Sequence, residues 1–396
     1  MHEVMEIKPD VYWIGVKDAE LRVFDDLFPT KYGTTYNSYL VKGKDRIAII
    51  DTVKGKRSEE YLAKIKQLVD PKDVDYYIVN HTEPDHSGSL EMMLRQSPKA
   101  VVFSTQAAKT FLGNLIHTPF ESRVVKDGET IDLGGRKLRF IIAPFLHWPD
   151  TMFTLLEEDG VLFTCDAFGA HYCGNSIYAD EVGDFTDEMK FYFDCLVRPF
   201  KDKALSAIEK VSGERIEMIC PSHGPIRRKD LQEVIGNYVK WSAPAGIEKK
   251  IAIFYLSPHG NTEKMANAIA KGASLPGLTV EVCHITKHNA NEIRDLMESA
   301  DALIFGSPTI NRDVPKPVWD VLSLLSMVKL RTNIAGVFGS FGWSGEACKI
   351  AEERLKGLNL KLPASPLRFP FTPKPAALEE CEAMGRVIAE EVLKKN

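Results

Sequence analysis

No window of this sequence approaches the roughly 18 or more apolar residues that a membrane helix needs. The first ten residues, MHEVMEIKPD, carry acidic groups early and no apolar core, which is not the pattern of a signal peptide. Both absences lead us to expect a cytoplasmic protein with no membrane association. Its seven cysteines form no CxxC pair, which excludes a rubredoxin-like or zinc-ribbon module. Their odd number points to reduced thiols in a reducing compartment. With 50 basic against 55 acidic residues the net charge is only −5, and no basic stripe suggests nucleic acid. There is no GxGxxG, which argues against a dinucleotide, and no GxxxxGK[ST], which excludes a nucleoside-triphosphate loop. Internal repeats and low-complexity tracts are absent as well.

What is present is ordinary globular protein: 44% hydrophobic and 27% charged residues over 396 positions, enough for two or three domains. Two halves read differently. Up to about residue 245, short β-type runs at 36–41, 46–51, 76–80, 100–104, 138–143, 161–165 and 216–220 alternate with helical patterns at 58–69, 188–211 and 230–241. That mixture predicts sheets covered by helices. Residues 242–246, Ser-Ala-Pro-Ala-Gly, read as a linker. Beyond it, strands at 250–256, 279–284, 302–306 and 334–339 alternate with helices at 262–272, 290–299, 315–327, 344–357 and 376–395. Apolar strands followed by amphipathic helices predict a parallel, doubly wound sheet. The expected domains are 1–246 and 247–396.

The strongest chemical signal is His81-Thr82-Glu83-Pro84-Asp85-His86, directly after the run 76–80. One histidine there would be a solvated loop residue. Two imidazoles and two carboxylates in six positions are not. If the segment stays extended, His81, Glu83 and Asp85 point to one side, and His86 must turn to a second position. Three more candidates sit where strands give way to loops: His147 after 138–143, Asp166 after 161–165 and His223 after 216–220. All can converge on one edge of the fold. Four imidazoles and three carboxylates suit two metals sharing one bridging carboxylate.

This set resembles the metallo-β-lactamase superfamily, and within it the flavodiiron branch, which has Glu where hydrolytic, zinc-binding members have the second His of His-x-His-x-Asp-His. The resemblance implies an αββα sandwich holding two non-haem irons. One would be bound by His81, Glu83 and His147, the other by Asp85, His86 and His223, with Asp166 bridging. An added anionic oxygen ligand in place of an imidazole suits iron cycling between its ferrous and ferric states. Asp51 reads as a hydrogen-bond partner of the ligand loop and Trp148 as packing. His171 and Tyr192 are candidates to lie just behind the ligands. One departure from the family pattern is visible: many members carry a His shortly after a Phe before Gly33-Thr34-Thr35-Tyr36-Asn37, where this chain has Phe24-Asp25-Asp26.

The second constellation is Ser257-Pro258-His259-Gly260-Asn261-Thr262, between a strand and a helix. Such a turn offers backbone N–H groups and hydroxyls to a phosphate, with the helix dipole favouring the anion. Two later loops follow the third and fourth strands: Ser307-Pro308-Thr309-Ile310-Asn311 and Ser340-Phe341-Gly342-Trp343-Ser344-Gly345. In a doubly wound sheet, loops at the carboxyl ends of strands line the ligand crevice. Together they resemble flavodoxin, which implies FMN, its phosphate on the first loop and its ring between the others. Trp343 fits either a ring-flanking or a core-packing role.

The combined resemblance spans nearly the whole chain. It implies an oxidoreductase passing electrons from FMN to a diiron site that reduces dioxygen to water or nitric oxide to nitrous oxide. The electron donor would be rubredoxin or a flavin-, deazaflavin- or NAD(P)H-linked reductase. The assembly would be a head-to-tail homodimer or a tetramer of dimers. The alternatives are a binuclear zinc hydrolase with an appended flavodoxin domain, and a non-catalytic electron carrier with a vestigial metal site.

Overall fold

The computed structural model describes residues 3–244 and 246–394, so Ala245 of the expected linker and Lys395 of the expected last helix lie outside the described residues. The chain divides into two compact units, residues 1–243 and 244–396.

In the first unit seven strands form one sheet in the order Met5–Lys8, Val11–Trp13, Tyr39–Lys42, Ile47–Ile50, Tyr76–Ile78, Val101–Ser104 and Glu121–Val124. The first three pairings are antiparallel and the last three parallel. A second sheet runs Thr130–Asp132, Lys137–Ile142, Met152–Leu156, Val161–Cys165 and Met218–Pro221, with only its last pairing parallel. Period-two patterning sorts the side chains. Tyr39, Val41, Ala48, Ile50 and Ile78 meet Leu138, Phe140, Phe163 and Cys220 of the second sheet in one core. Their neighbours Leu40, Ile49 and Tyr77 face outward, under the helices Ser58–Leu68, Leu90–Gln96 and Gln106–Leu115. On the far side, Ile141, Phe153, Leu155 and Leu162 lie under Thr186–Tyr192, Lys201–Val211 and Leu231–Ser242. The layers are helix, sheet, sheet, helix, as expected for an αββα sandwich.

Two local expectations fail for physical reasons. The single helix expected over 188–211 is broken into Thr186–Tyr192, a wide π-turn Phe193–Val197, a 3₁₀ turn Arg198–Phe200, and Lys201–Val211. Pro199 lacks the N–H a continuous helix needs and clashes with the preceding turn. The ligand segment does not stay extended either, because Pro84–Ser87 coils into one helical turn. Pro84 sits at the first helical position, where its missing N–H is harmless.

The second unit is a five-stranded, wholly parallel sheet in the order Thr279–His284, Lys250–Tyr255, Ala302–Gly306, Ala335–Phe341, Leu367–Pro370. Ala252 and Phe254 face one apolar layer, and Ile251, Ile253 and Tyr255 the other. This is the doubly wound arrangement expected from the sequence. The fifth strand was not anticipated, because Leu367–Pro370 is an edge strand with only half-buried apolar side chains and Pro in its last place. The helices Asn261–Ala273 and Pro375–Lys394 cross at two glycines. A Cβ on Gly385 would lie 2.1 Å from the Ile269 carbonyl oxygen, and one on Gly272 would lie 1.9 Å from that of Glu382. Gly385→Ala should therefore destabilise this unit by about 1–3 kcal/mol despite alanine's better helix propensity. Chemical denaturation followed by circular dichroism reads the shift, and an unchanged midpoint would contradict the close crossing. Among the described residues no helix is long and apolar enough to cross a membrane.

Candidate functional site

All seven sequence-selected metal residues lie together at one edge of the sandwich. Their donor atoms fall into two groups, His81, Glu83 and His147 with Asp166, and Asp85 with His86 and His223. In the first, Glu83 Oε2 lies 3.0 Å from His147 Nε2 and 3.4 Å from His81 Nε2. In the second, Asp85 reaches His223 Nε2 at 3.0 Å and His86 Nε2 at 3.4 Å. The helical turn at Pro84–Ser87 creates this division, since it swings Asp85 and His86 away from His81 and Glu83. Asp166 faces both groups. Its Oδ2 lies 3.7 Å from His81 Nε2 and 3.8 Å from His147 Nε2. Its Oδ1 lies 3.1 Å from His86 Nε2 and 3.7 Å from His223 Nε2.

The donors are buried, apart from the Glu83 and His147 side chains, which are 21% and 12% exposed. Among the described residues no group makes a well-formed hydrogen bond to His81 Nε2 or Asp85 Oδ1, although both atoms are buried. Unpaired buried polar atoms are costly, and two of them within a ring of metal-ligand side chains fit a place for cations. Burial opposes a charge on His86, but the Asp85 and Asp166 carboxylates outweigh it and push its imidazole up to about 10. Burial would raise Asp166, yet His86 beside it holds its carboxyl well below the usual range. These carboxylates attract positive charge strongly, and metal uptake would release protons from the imidazoles.

Supporting contacts fix the donors. Asp150 is fully buried and accepts from Thr82 N and Oγ1 at 2.8 and 2.7 Å, with His81 Nδ1 at 3.2 Å. Sequence reading passed over it, although it stands three places after His147. His223 Nδ1 lies 2.6 Å from the Thr35 carbonyl oxygen. His86 differs: its Nδ1 has no partner among the described residues. Asp51 accepts from the Asn80 N–H at 2.7 Å and so ties down the ligand loop. Burial pushes the Asp51 carboxyl up to about 7 against the pull of His86. Asp51, Cys165 and Phe168 all adopt positive φ around the cluster, the kind of backbone strain that collects at functional sites. Trp148 packs edge-on against His81 and Phe111.

Tyr192 donates its hydroxyl to Asp166 Oδ1 at 2.6 Å, and His171 Nδ1 lies 3.0 Å from Thr34 Oγ1. Tyr192→Phe removes a charge-assisted hydrogen bond to the carboxylate that faces both groups. We expect turnover to fall about tenfold with metal content retained. Paired metal analysis and steady-state kinetics would check it, and wild-type turnover would show that the hydroxyl is idle. Phe24 packs against His171 at a tilt of 31° with ring centroids 4.1 Å apart, while Asp25 pairs with Lys54 at 3.1 Å.

In the second unit, a cleft of about 270 Å³ opens at the carboxyl ends of the strands. The first loop lines it with Ser257, Pro258, His259, Asn261 and Thr262, the second with Pro308, Thr309 and Ile310, the third with Ser340, Phe341 and Gly342. Gly260, at φ +75°, is the residue before the helix and has no side chain to cap it; Ser257 Oγ accepts from the Glu263 N–H at 3.1 Å, and the earlier N–H groups of the first turn suit an anion. Thr262 Oγ1 and Ser340 Oγ, 2.9 Å apart, tie two loops together. Gly260, Ser307, Asn311, Trp343, Ser344 and Gly345 do not line the cleft, and Trp343, 76% exposed, is not a core residue. Phe371 does line it and was missed, because the strand before it was missed.

Two family models match the chain: the ODP family β-lactamase over residues 34–224 and flavodoxin over residues 253–385. A metal-binding β-lactamase-type domain followed by a flavodoxin domain defines a class of fused metalloflavoproteins. The chain is 37% identical over 398 residues to the flavo-diiron protein FprA2 of Clostridium acetobutylicum, covering 98% of this chain and 99% of that one. It is 38% identical over 397 residues to a nitric oxide reductase of Moorella thermoacetica, with coverage of 98% and 99%. The solved rubredoxin oxygen:oxidoreductase of Desulfovibrio gigas superposes with a TM-score of 0.72 at 31% identity over 99% of both chains. The protein belongs to the flavodiiron, or type A flavoprotein, family.

Proposed function

We propose that this protein is a flavodiiron oxidoreductase, carrying FMN in its second unit and two irons in its first, that reduces dioxygen to water or nitric oxide to nitrous oxide. One observation carries the reading: Asp166 presents one carboxylate oxygen to each of two buried donor groups. His81, Glu83 and His147 would hold one iron, Asp85, His86 and His223 the other, and Asp166 would bridge them. Three carboxylates suit iron better than an imidazole-rich zinc site, and Glu83 stands where zinc hydrolases carry their second histidine. The hydrolase alternative gains no support. The flavin and the metal pair would supply electrons in the number each gas requires.

The chain's own residues set the stage for that chemistry. The unpaired Nε2 of His81 is aimed by Asp150 behind it. Tyr192 holds Asp166, and Glu83 and His147 are the least buried of the donors. In the cleft, the helix start would take the FMN phosphate and the Ile310 and Phe341 loops would border the ring. The relatives named nitric oxide reductase and rubredoxin oxygen:oxidoreductase support either gas as substrate and a rubredoxin-type donor. A reductase linked to deazaflavin or NAD(P)H is the other donor class. We place the protein in the cytoplasm, as two chains paired head to tail, singly or as a tetramer of such dimers. Ile310, Trp343 and Phe371 leave exposed apolar surface on the second unit that a second copy could cover. Reduced protein containing FMN and iron should consume at least one of the two gases at a gas electrode; consumption of neither would sink the reading.

A further inference from the structure

Among the described residues that line the cleft of the second unit, only His259 has a side chain that can ionise. It stands exposed in the turn just before Gly260 and the start of the helix, where Ser257 Oγ already accepts from the Glu263 N–H. The charged groups on the surrounding elements are committed elsewhere. Glu263 accepts from the Tyr255 hydroxyl at 3.0 Å, Arg312 pairs with Glu346 at 3.0 Å, and Arg368 donates to the Gly345 carbonyl at 3.3 Å. Lys264 and Lys374 are exposed and do not line the cleft. A phosphate monoester carries a charge of about −1.5 to −2 at neutral pH. A helix start offers only about half a unit of positive charge, and hydroxyls offer none. Nothing else in the cleft supplies a whole countercharge, whereas an imidazole does so when protonated.

We propose that His259 is the countercharge for the FMN phosphate, so that flavin retention weakens as pH rises. This rests on the FMN assignment above and names the side chain that makes it pH-dependent. The imidazolium and the phosphate dianion stabilise each other when bound. The sign follows: binding favours the protonated ring, so the added affinity is lost as pH rises.

The test is the release of FMN from the holoprotein on dilution, read as recovered flavin fluorescence, between about pH 6.5 and 9. Wild type should release flavin about tenfold faster at the alkaline end, the scale of one charge-assisted hydrogen bond. His259→Gln should release at the fast rate throughout, and His259→Lys at the slow rate, since lysine keeps its charge over this range. Riboflavin, which lacks the phosphate, should bind the flavin-stripped protein equally at all pH values and equally well to wild type and His259→Gln. A flat wild-type profile, an unaltered profile in His259→Gln, or the same pH dependence for riboflavin would overturn the proposal. Protein that never holds flavin would instead overturn the FMN assignment itself. Circular dichroism of the variants guards against misfolding, which the exposure of His259 makes an unimportant risk.

Discussion

Asp166→Asn is expected to lower gas reduction on the order of 10³-fold or more while leaving reduction of the flavin untouched. The amide keeps the size of the side chain and one acceptor oxygen. It loses the negative charge and turns an NH₂ toward one of the donor groups. Asp166 faces His86 and His223 through Oδ1, and His81 and His147 through Oδ2. It is the one carboxylate facing both groups, so neutralising it should cost the pairing of the metals and not merely one ligand bond. The check has three parts: iron per chain, turnover of each gas, and the rate of flavin photoreduction. Full turnover in the variant would place the chemistry away from this carboxylate.

The second large effect is expected at a residue that touches no metal. Asp150→Ala should weaken iron retention by about 10–100-fold, the usual scale for losing the carboxylate behind a ligating histidine. Asp150 acts twice. It lies behind His81 Nδ1, which fixes the ring with Nε2 toward the cluster, and it accepts both the N–H and the hydroxyl of Thr82. Burial alone would raise its carboxyl, but the hydrogen bonds from His81 and Thr82 hold it below the ordinary value. Removing it leaves a buried imidazole nitrogen and a buried N–H unpaired at the start of the ligand loop. Chelator challenge of the holoprotein measures the loss. An unchanged half-life for iron would mean that His81 is held by packing against Trp148 alone.

Much of the fold was legible because its central strands are continuous apolar runs. Val161–Cys165 and Ala302–Gly306 are buried at every position and read as strands without their context. Met152–Leu156 is equally buried yet escaped notice, since it lies only a few residues past His147 and has no polar alternation to mark it. The edge elements were harder. Met5–Lys8, Glu121–Val124 and Leu367–Pro370 are short and partly exposed, so their pairing is decided by neighbours that sequence order does not reveal.

The site divides along the same line. The candidate donors were legible because His81, Glu83, Asp85 and His86 crowd one loop, and the strand-end positions of His147, Asp166 and His223 suggested the convergence that the structure shows. The extended geometry assumed for that loop was wrong, and Pro84 was the overlooked signal for the helical turn. Asp150 and Phe371 stayed hidden for a different reason. A lone Asp or Phe carries no spacing signature, and only the folded chain sets Asp150 behind His81 and Phe371 beside the cleft. Asp25 turned out to be engaged by Lys54 in an ion pair, while Phe24 covers His171.

The most direct test of the metal pair is Mössbauer spectroscopy of protein expressed with ⁵⁷Fe and purified without added metal. The expected result is two irons per chain in an exchange-coupled oxidised pair, with the coupling lost in Asp166→Asn. Zinc in place of iron, or two irons that show no coupling in the wild type, would contradict a diiron centre bridged by Asp166.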